Sequence, residues 1–340
     1  MKKFSLCLTI CILGILLLAG CGQTQTSGKE KVLERAPQAQ YDDAYITVGF
    51  VQTGKESDWR DANTNDYFTV FTKEEGYNLI YVDGNSDSDR QVKAVYDLIA
   101  QGVDYIIIDP IVEDGWEEAL CLAKEKGIPV LIVDRKVSAD PSLYKCWIGS
   151  DFNGEGRKAI NFLEEYLEKS GRENDKLNIV ILEGTKGATA AIGRTEGLKS
   201  EIEKHPNWKI VTMECANFTQ GEGNVVMEEI LKKHPKFDVL ISENDNMMFG
   251  AMNAMDQAGV GYGVDGGVIT ISFDALREAF VKMDEGKLCA SVECNPLIAK
   301  YARRAIEDME SGKAVAADIY IPEKVFTYEN YADYMDSRKY

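Results

Sequence analysis

Charged and amide side chains stand just past a series of short apolar runs. Asp109 follows Tyr105–Ile108, Asp134 and Arg135 follow Val130–Val133, and Glu243, Asn244 and Asp245 follow residues 239–241. Phe273 and Asp274 follow residues 268–272, and the loop after residues 46–51 carries Glu56, Trp59 and Arg60. These side-chain types suit one kind of partner. A sugar hydroxyl both donates and accepts; Asp and Asn accept, and Arg donates in a fixed fork, so together they satisfy adjacent hydroxyls. An aromatic face such as Trp59 or Phe273 covers the apolar C–H face of a ring. Each hydrogen bond to a charged group contributes about 1.5–3 kcal/mol, so a handful supports micromolar binding, near about −8 kcal/mol. Other roles compete at two positions: Asp245 serves equally well as a helix N-cap, and Trp59 as packed core.

Catalytic chemistry finds less support. The first strand–helix turn lacks GxGxxG, and the two histidines, His205 and His234, each precede proline. No Ser–His–Asp set and no metal cluster emerges, so no catalysis, metal or cofactor is expected.

Position requires a scaffold, and the apolar runs supply it. Strands are predicted at 46–51, 79–82, Tyr105–Ile108, Val130–Val133 and Cys146–Gly149, and again at 179–182, 210–213, 239–241 and 268–272, each followed by a helical stretch. Val92, Val95, Tyr96 and Ile99 fall at i, i+3, i+4 and i+7, one stripe of a helix that Ser86 or Ser88 can cap and Gly102 can end. Continuous apolar strands alternating with helices indicate parallel sheets covered on both faces. The fold class is therefore α/β, with two doubly wound parallel-sheet lobes. Ligands of such sheets bind beyond the carboxyl ends of the strands, where the polar residues cluster.

The N-terminus predicts a compartment. Lys2 and Lys3 precede an apolar run from Phe4 to Leu18, and Ala19 and Gly20 precede Cys21. That is a secretory signal over residues 1–20, too short for comfortable membrane spanning. Residues 18–21 (LAGC) resemble a bacterial lipobox, which implies cleavage before Cys21 and a diacylglycerol on its sulfur. Residues 21–41 are polar and read as a flexible tether spanning about 25 Å. The whole chain has a formal charge of −18, and its first 20 residues carry two lysines and no acid, so the mature charge is −20. A body so acidic excludes phosphate backbones and anionic lipid surfaces as ligands. Of eight cysteines, Cys121, Cys146, Cys215, Cys289 and Cys294 remain in the body; they read as small buried apolar residues, with one disulfide still open.

Several segments together resemble the type I periplasmic-binding-protein-like sugar receptors of ABC importers: 49–60 (GFVQTGKESDWR), 99–110 (IAQGVDYIIIDP), 129–135 (PVLIVDR), 149–156 (GSDFNGEG), 244–247 (NDNM), 271–274 (ISFD) and 291–296 (SVECNP). The nearest branch in these motifs is the galactofuranose-binding one. The resemblance implies a ligand site of Glu56, Trp59, Arg60, Asp109, Arg135, Thr189, Arg194, Asn244 and Asp274, with Glu293 and Asn295 beside them. This chain departs from the branch at Phe273 and Ala275 around Asp274, at Gly193 before Arg194, and at Gln220. The resemblance also implies three hinge crossings, placed near Asp151, Lys287 and Val315. Lobe one is then 42–151 plus 288–315, and lobe two 152–287 plus 316–340. It implies a monomer that binds a monosaccharide by hinge closure and presents it to an importer permease. A receptor feeding a transmembrane kinase is the alternative.

Overall fold

The computed structural model describes residues 44–340, so the signal, Cys21 and the whole tether lie outside the described residues. Strands and helices alternate from the start: β1 (Ile46–Gln52), α1 (Asp58–Val70), β2 (Tyr77–Asp83), α2 (Ser88–Gln101), β3 (Tyr105–Ile108), α3 (Glu117–Glu125), β4 (Val130–Val133) and β5 (Cys146–Gly149). Then come α4 (Phe152–Lys169), β6 (Leu177–Glu183), α5 (Thr189–Ile202), β7 (Trp208–Cys215), α6 (Gln220–Lys233), β8 (Val239–Ser242), α7 (Asp245–Ala258), β9 (Ile269–Asp274) and α8 (Arg277–Asp284). The chain ends through β10 (Ala290–Glu293), α9 (Ala299–Glu310), β11 (Asp318–Tyr320) and β12 (Val325–Thr327).

Two sheets result, ordered β11-β5-β4-β3-β1-β2 and β12-β10-β9-β8-β6-β7. The first is parallel throughout; in the second only β12 runs antiparallel, against β10. Helices cover both faces, which is why Ile106, Ile107 and Ile108 can be consecutive and all fully buried. Among the described residues no helix is long and apolar enough to cross a membrane.

The α2 stripe shows how packing and site connect. Its buried face is Gln91, Ala94, Val95, Leu98 and Ile99, rotated from the predicted stripe, so that Val92 and Tyr96 are only half-buried. Asp87 caps the helix instead of Ser86 or Ser88, accepting from Arg90 N at 3.0 Å, and Gly102 ends it in the left-handed region at φ 68°. Fully buried Gln91 interrupts the apolar face for a reason. It donates to Asp109 O at 2.7 Å and accepts from Ile111 N at 2.9 Å, which fixes the loop beyond β3.

Strand membership moves two of the expected crossings. The chain leaves sheet one at β5 and enters sheet two at β6. β10, however, lies beside β9 in sheet two through Glu293, and β11 lies beside β5 in sheet one through Tyr320. The chain therefore crosses at residues 294–298 and 321–324, not near Lys287 and Val315. Strands of three or four residues carry too little periodicity to be assigned to a sheet from sequence.

Helices α4 and α5 touch backbone to backbone. A Cβ on Gly197 would lie 2.2 Å from Asn153 O, and one on Gly156 would lie 2.4 Å from Arg194 O. Glycine at both positions permits the close approach and brings Arg194 within reach of Glu155.

Candidate functional site

Lobe one supplies a guanidinium surrounded by acids. Ser57 caps α1, its Oγ accepting from Arg60 N at 3.3 Å, which sets Trp59 and Arg60 in the first turn. Arg60 is 2 % exposed and serves three carboxylates: Glu56 at 3.0 Å, Asp134 at 2.9 Å, and Asp109 in a shorter contact. Arg135 binds Glu56 as well, donates to Ile111 O at 3.3 Å, and lies 5.1 Å from the Phe218 ring. Two buried atoms here have no hydrogen-bond partner, Asp109 Oδ1 and Arg135 Nε, the latter 3.9 Å from an Asp134 oxygen.

Lobe two answers with Arg194. Its Nε donates to Glu155 at 2.7 Å, its Nη1 donates to Glu243 O, and its Nη2 lies 3.6 Å from Asp274. The guanidinium sits between Phe152 and Phe273, 5.5 and 5.0 Å from their rings. Asn244 caps α7 through its Oδ1 and donates from Nδ2 to Phe218 O at 3.0 Å. Asp274 holds an unusual backbone, φ 101°, and Ala275 follows at φ 57°, a conformation that glycine adopts without strain.

These residues line one pocket shared by both lobes: Glu56, Trp59, Arg60, Asp134 and Arg135 from one side, Arg194, Phe218, Asn244 and Asp274 from the other, and Cys294 at the crossing. Hydrogen bonds close its rim. Asn246 donates to Asp58 at 2.8 Å, and Lys136 N donates to Thr189 Oγ1 at 2.8 Å. Trp59 fills both roles read for it: it lines the cavity, yet is 3 % exposed, and its Nε1 donates to Cys294 O at 2.6 Å.

The structure therefore brings together Glu56, Trp59, Arg60, Arg135, Arg194, Asn244 and Asp274, with Asp109 directly behind Arg60 and Thr189 at the rim. It does not bring Glu293 or Asn295 to the cavity lining. Glu293 faces the C-terminus, accepting from Arg338 at 2.9 Å and from Tyr340 OH at 3.0 Å. Asn295 shapes the second crossing, accepting from Leu297 N at 2.9 Å. Phe273 lies under Arg194 as core, and the aromatic that joins Trp59 at the pocket is Phe218, three residues past the end of β7. Asp134 stands among the polar residues past the apolar runs but not in the implied site, and Cys294 carried no signal beyond its motif. Gly193 is explained by packing, since a Cβ there would lie 2.7 Å from Phe152 Cβ. The five cysteines of the described residues are free.

Electrostatics narrows the ligand. Burial raises Asp109 well above the usual carboxylate range despite Arg60, and raises Asp274 likewise despite Arg194. Glu56 is also buried, but Arg135 and Arg60 hold it below its ordinary value. Each of the three buried guanidiniums is already engaged by carboxyl groups: Arg60 by Glu56, Asp109 and Asp134, Arg135 by Glu56, and Arg194 by Glu155. A buried set of paired donors and acceptors suits an uncharged polar molecule and penalises an ion.

Comparison with known proteins agrees with this geometry. Residues 48–313 match the periplasmic binding protein domain. The galactofuranose-binding protein YtfQ of Escherichia coli (strain K12) is 36 % identical over 286 residues, 83 % of this chain and 86 % of that protein. The periplasmic binding protein of the arabinose ABC transporter from Shewanella sp. ANA-3, solved with α- and β-L-arabinofuranose, is 38 % identical with a TM-score of 0.80, covering 86 % of this chain and 95 % of the other. A protein from Mycobacterium smegmatis, solved with β-D-fucofuranose, is 36 % identical with a TM-score of 0.81 over the same shares. Two parallel-sheet lobes, three crossings and this match over most of the chain establish that the protein belongs to the periplasmic binding protein family, in its type I fold.

Proposed function

We propose that this protein captures a neutral monosaccharide in its five-membered ring form and delivers it to the permease of an ABC importer, without chemical turnover. The observation that carries the reading is the pocket of paired guanidinium and carboxyl groups in which Arg60 and Arg135 of one lobe face Arg194 and Asp274 of the other. Relatives named for galactofuranose, arabinofuranose and fucofuranose support the ring form. Sugar binds one lobe first; the second lobe then adds its hydrogen bonds and excludes water, so the closed form gains stability only with ligand present. Glu56, Trp59, Arg60, Asp109, Arg135, Arg194, Asn244 and Asp274 are the proposed binding set, with Asp134 and Phe218 added and Thr189 at the rim.

Calorimetric titration tests this. L-Arabinose, D-galactose and D-fucose each equilibrate with a minor furanose form, and apparent affinity falls in proportion to that fraction. At least one is expected to bind, while its methyl pyranoside, locked in the six-membered ring, does not. Equal binding of the methyl pyranoside would remove the furanose assignment, and silence toward every monosaccharide would remove the sugar.

The N-terminal signal supports export and anchoring through a diacylglycerol on Cys21, with the chain acting as a monomer. Cys21→Ser is expected to release the protein from the membrane fraction into the soluble one. Retention of the variant in the membrane fraction would exclude a lipid on that sulfur.

A further inference from the structure

Three segments carry the chain between the lobes, and all three meet at one carboxyl. Glu323, on the third crossing, accepts from Ser150 Oγ of the first crossing at 2.5 Å and from Asn295 N of the second at 2.9 Å. Ser150 Oγ also lies 3.4 Å from Cys294 Sγ. A Glu323 oxygen, a Glu155 oxygen and the Cys294 sulfur sit within 4.8 Å of one another. Glu155 belongs to α4 of lobe two and is fully buried; Arg194 occupies its Oε2, and its Oε1 has no partner.

Two carboxylates this close and largely shielded from water do not both ionise. Arg194 offers one positive charge and also faces Asp274. The remaining charged groups facing the cluster are Lys158 of α4, whose Nζ reaches Glu323 O at 3.4 Å, and Asp134 beyond β4. Glu155 has the arginine, so the proton belongs to Glu323. Its Oε1 already accepts twice, which leaves Oε2 to hold the proton and donate to the unpartnered Glu155 Oε1.

We propose that closure of the lobes takes up one proton onto Glu323, shared with Glu155, so that the junction of the three crossings works as a proton-operated hinge. Glu323 is tied to the crossings, whereas Glu155 is tied to lobe two through Arg194. Rotation at the crossings separates the two carboxyls, admits water and returns Glu323 to the ordinary carboxylate range. In the closed form burial, and then the charge of Glu155, raises it to about 9. The sign follows: the closed form is fully favoured below the open-form value, and that preference is lost as pH rises through about 9.

The effect on affinity rests on the sugar reading above, so the test has two arms. In calorimetry with L-arabinose or D-galactose, wild-type affinity is expected to fall about tenfold or more between pH 6.5 and 9. At pH 7.5, up to one proton is taken up per sugar bound, read from the dependence of the heat on buffer ionisation. Glu323→Gln keeps the acceptor for Ser150 and Asn295 and a donor toward Glu155; it is expected to bind without proton uptake and with nearly constant affinity across that range. Sugar binding by the wild type without proton uptake overturns the proposal. If neither sugar binds, small-angle scattering of the sugar-free protein decides. The radius of gyration is expected to grow from pH 6.5 to pH 10 in the wild type and not in Glu323→Gln; a change shared by both, or by neither, overturns it.

Discussion

Replacing Arg60 with alanine is expected to cost about 3–5 kcal/mol of stability at pH 7.5 and to eliminate sugar binding. The guanidinium is the shared partner of Glu56, Asp109 and Asp134, and it lies almost fully buried among them. Its removal leaves three acids around Arg135 alone. Glu56 loses one of the two arginines that hold its carboxyl below its ordinary value, and Asp109 loses the charge that opposes its burial, so both shift upward and the deficit is largest at neutral pH. Stability returns as pH falls toward the unfolded carboxylate values, near about 4. Urea melts of variant and wild type at pH 5 and pH 8 measure this, and a deficit of equal size at both would show that Arg60 acts by packing rather than by charge. Arg60→Lys recovers only part of the loss, because a single ammonium cannot reproduce a planar fork engaged by three carboxylates.

Asp274→Ala is expected to weaken sugar binding at least tenfold while leaving the fold intact. The carboxyl lines the cavity at 3.6 Å from Arg194, but Arg194 keeps Glu155 and the Glu243 carbonyl without it. The unusual backbone at Asp274 and Ala275 is held from outside the site, by Ser291 Oγ accepting from Ala275 N at 2.9 Å and by Asp245 accepting from Leu276 N at 2.7 Å. Leaving a buried sugar hydroxyl without its partner costs about 1–3 kcal/mol, which brackets the tenfold loss. Unchanged affinity by titration would take Asp274 out of the site. Asp274→Asn probes its protonation, since an amide reproduces a neutral acid that both donates and accepts; binding close to wild type at pH 7 is the expected result.

The lobes and most of the cavity were legible in the sequence because both follow from strand ends. Apolar runs such as residues 105–108 declare a covered parallel strand, and the polar residue after such a run lands at the mouth of the sheet. That rule alone reaches Asp109, Arg135, Asn244 and Asp274, and the family resemblance added Arg194. It failed where position depends on tertiary crossings. Glu293 and Asn295 sit in a motif that reads like the others, yet β10 turns Glu293 toward Arg338 and the C-terminus. Phe218 escaped notice because it stands three residues past the end of β7, beyond Ala216 and Asn217, rather than directly after the strand. Glu155 stood only inside the 149–156 motif, with no role read for it; the glycine contact between α4 and α5 reveals that it faces Arg194.

The last two strands of the chain each finish a different sheet, β11 the first and β12 the second. Assembly order during synthesis is therefore not the order of the sequence: a nascent chain released as far as α9 has two unfinished layers, with the rims of β5 and β10 bare. Such rims are templates for pairing with other chains. Protection from misassociation thus arrives late and at nearly one moment, when residues 318–327 dock on both lobes, and loss of that short stretch would harm both halves of the molecule at once.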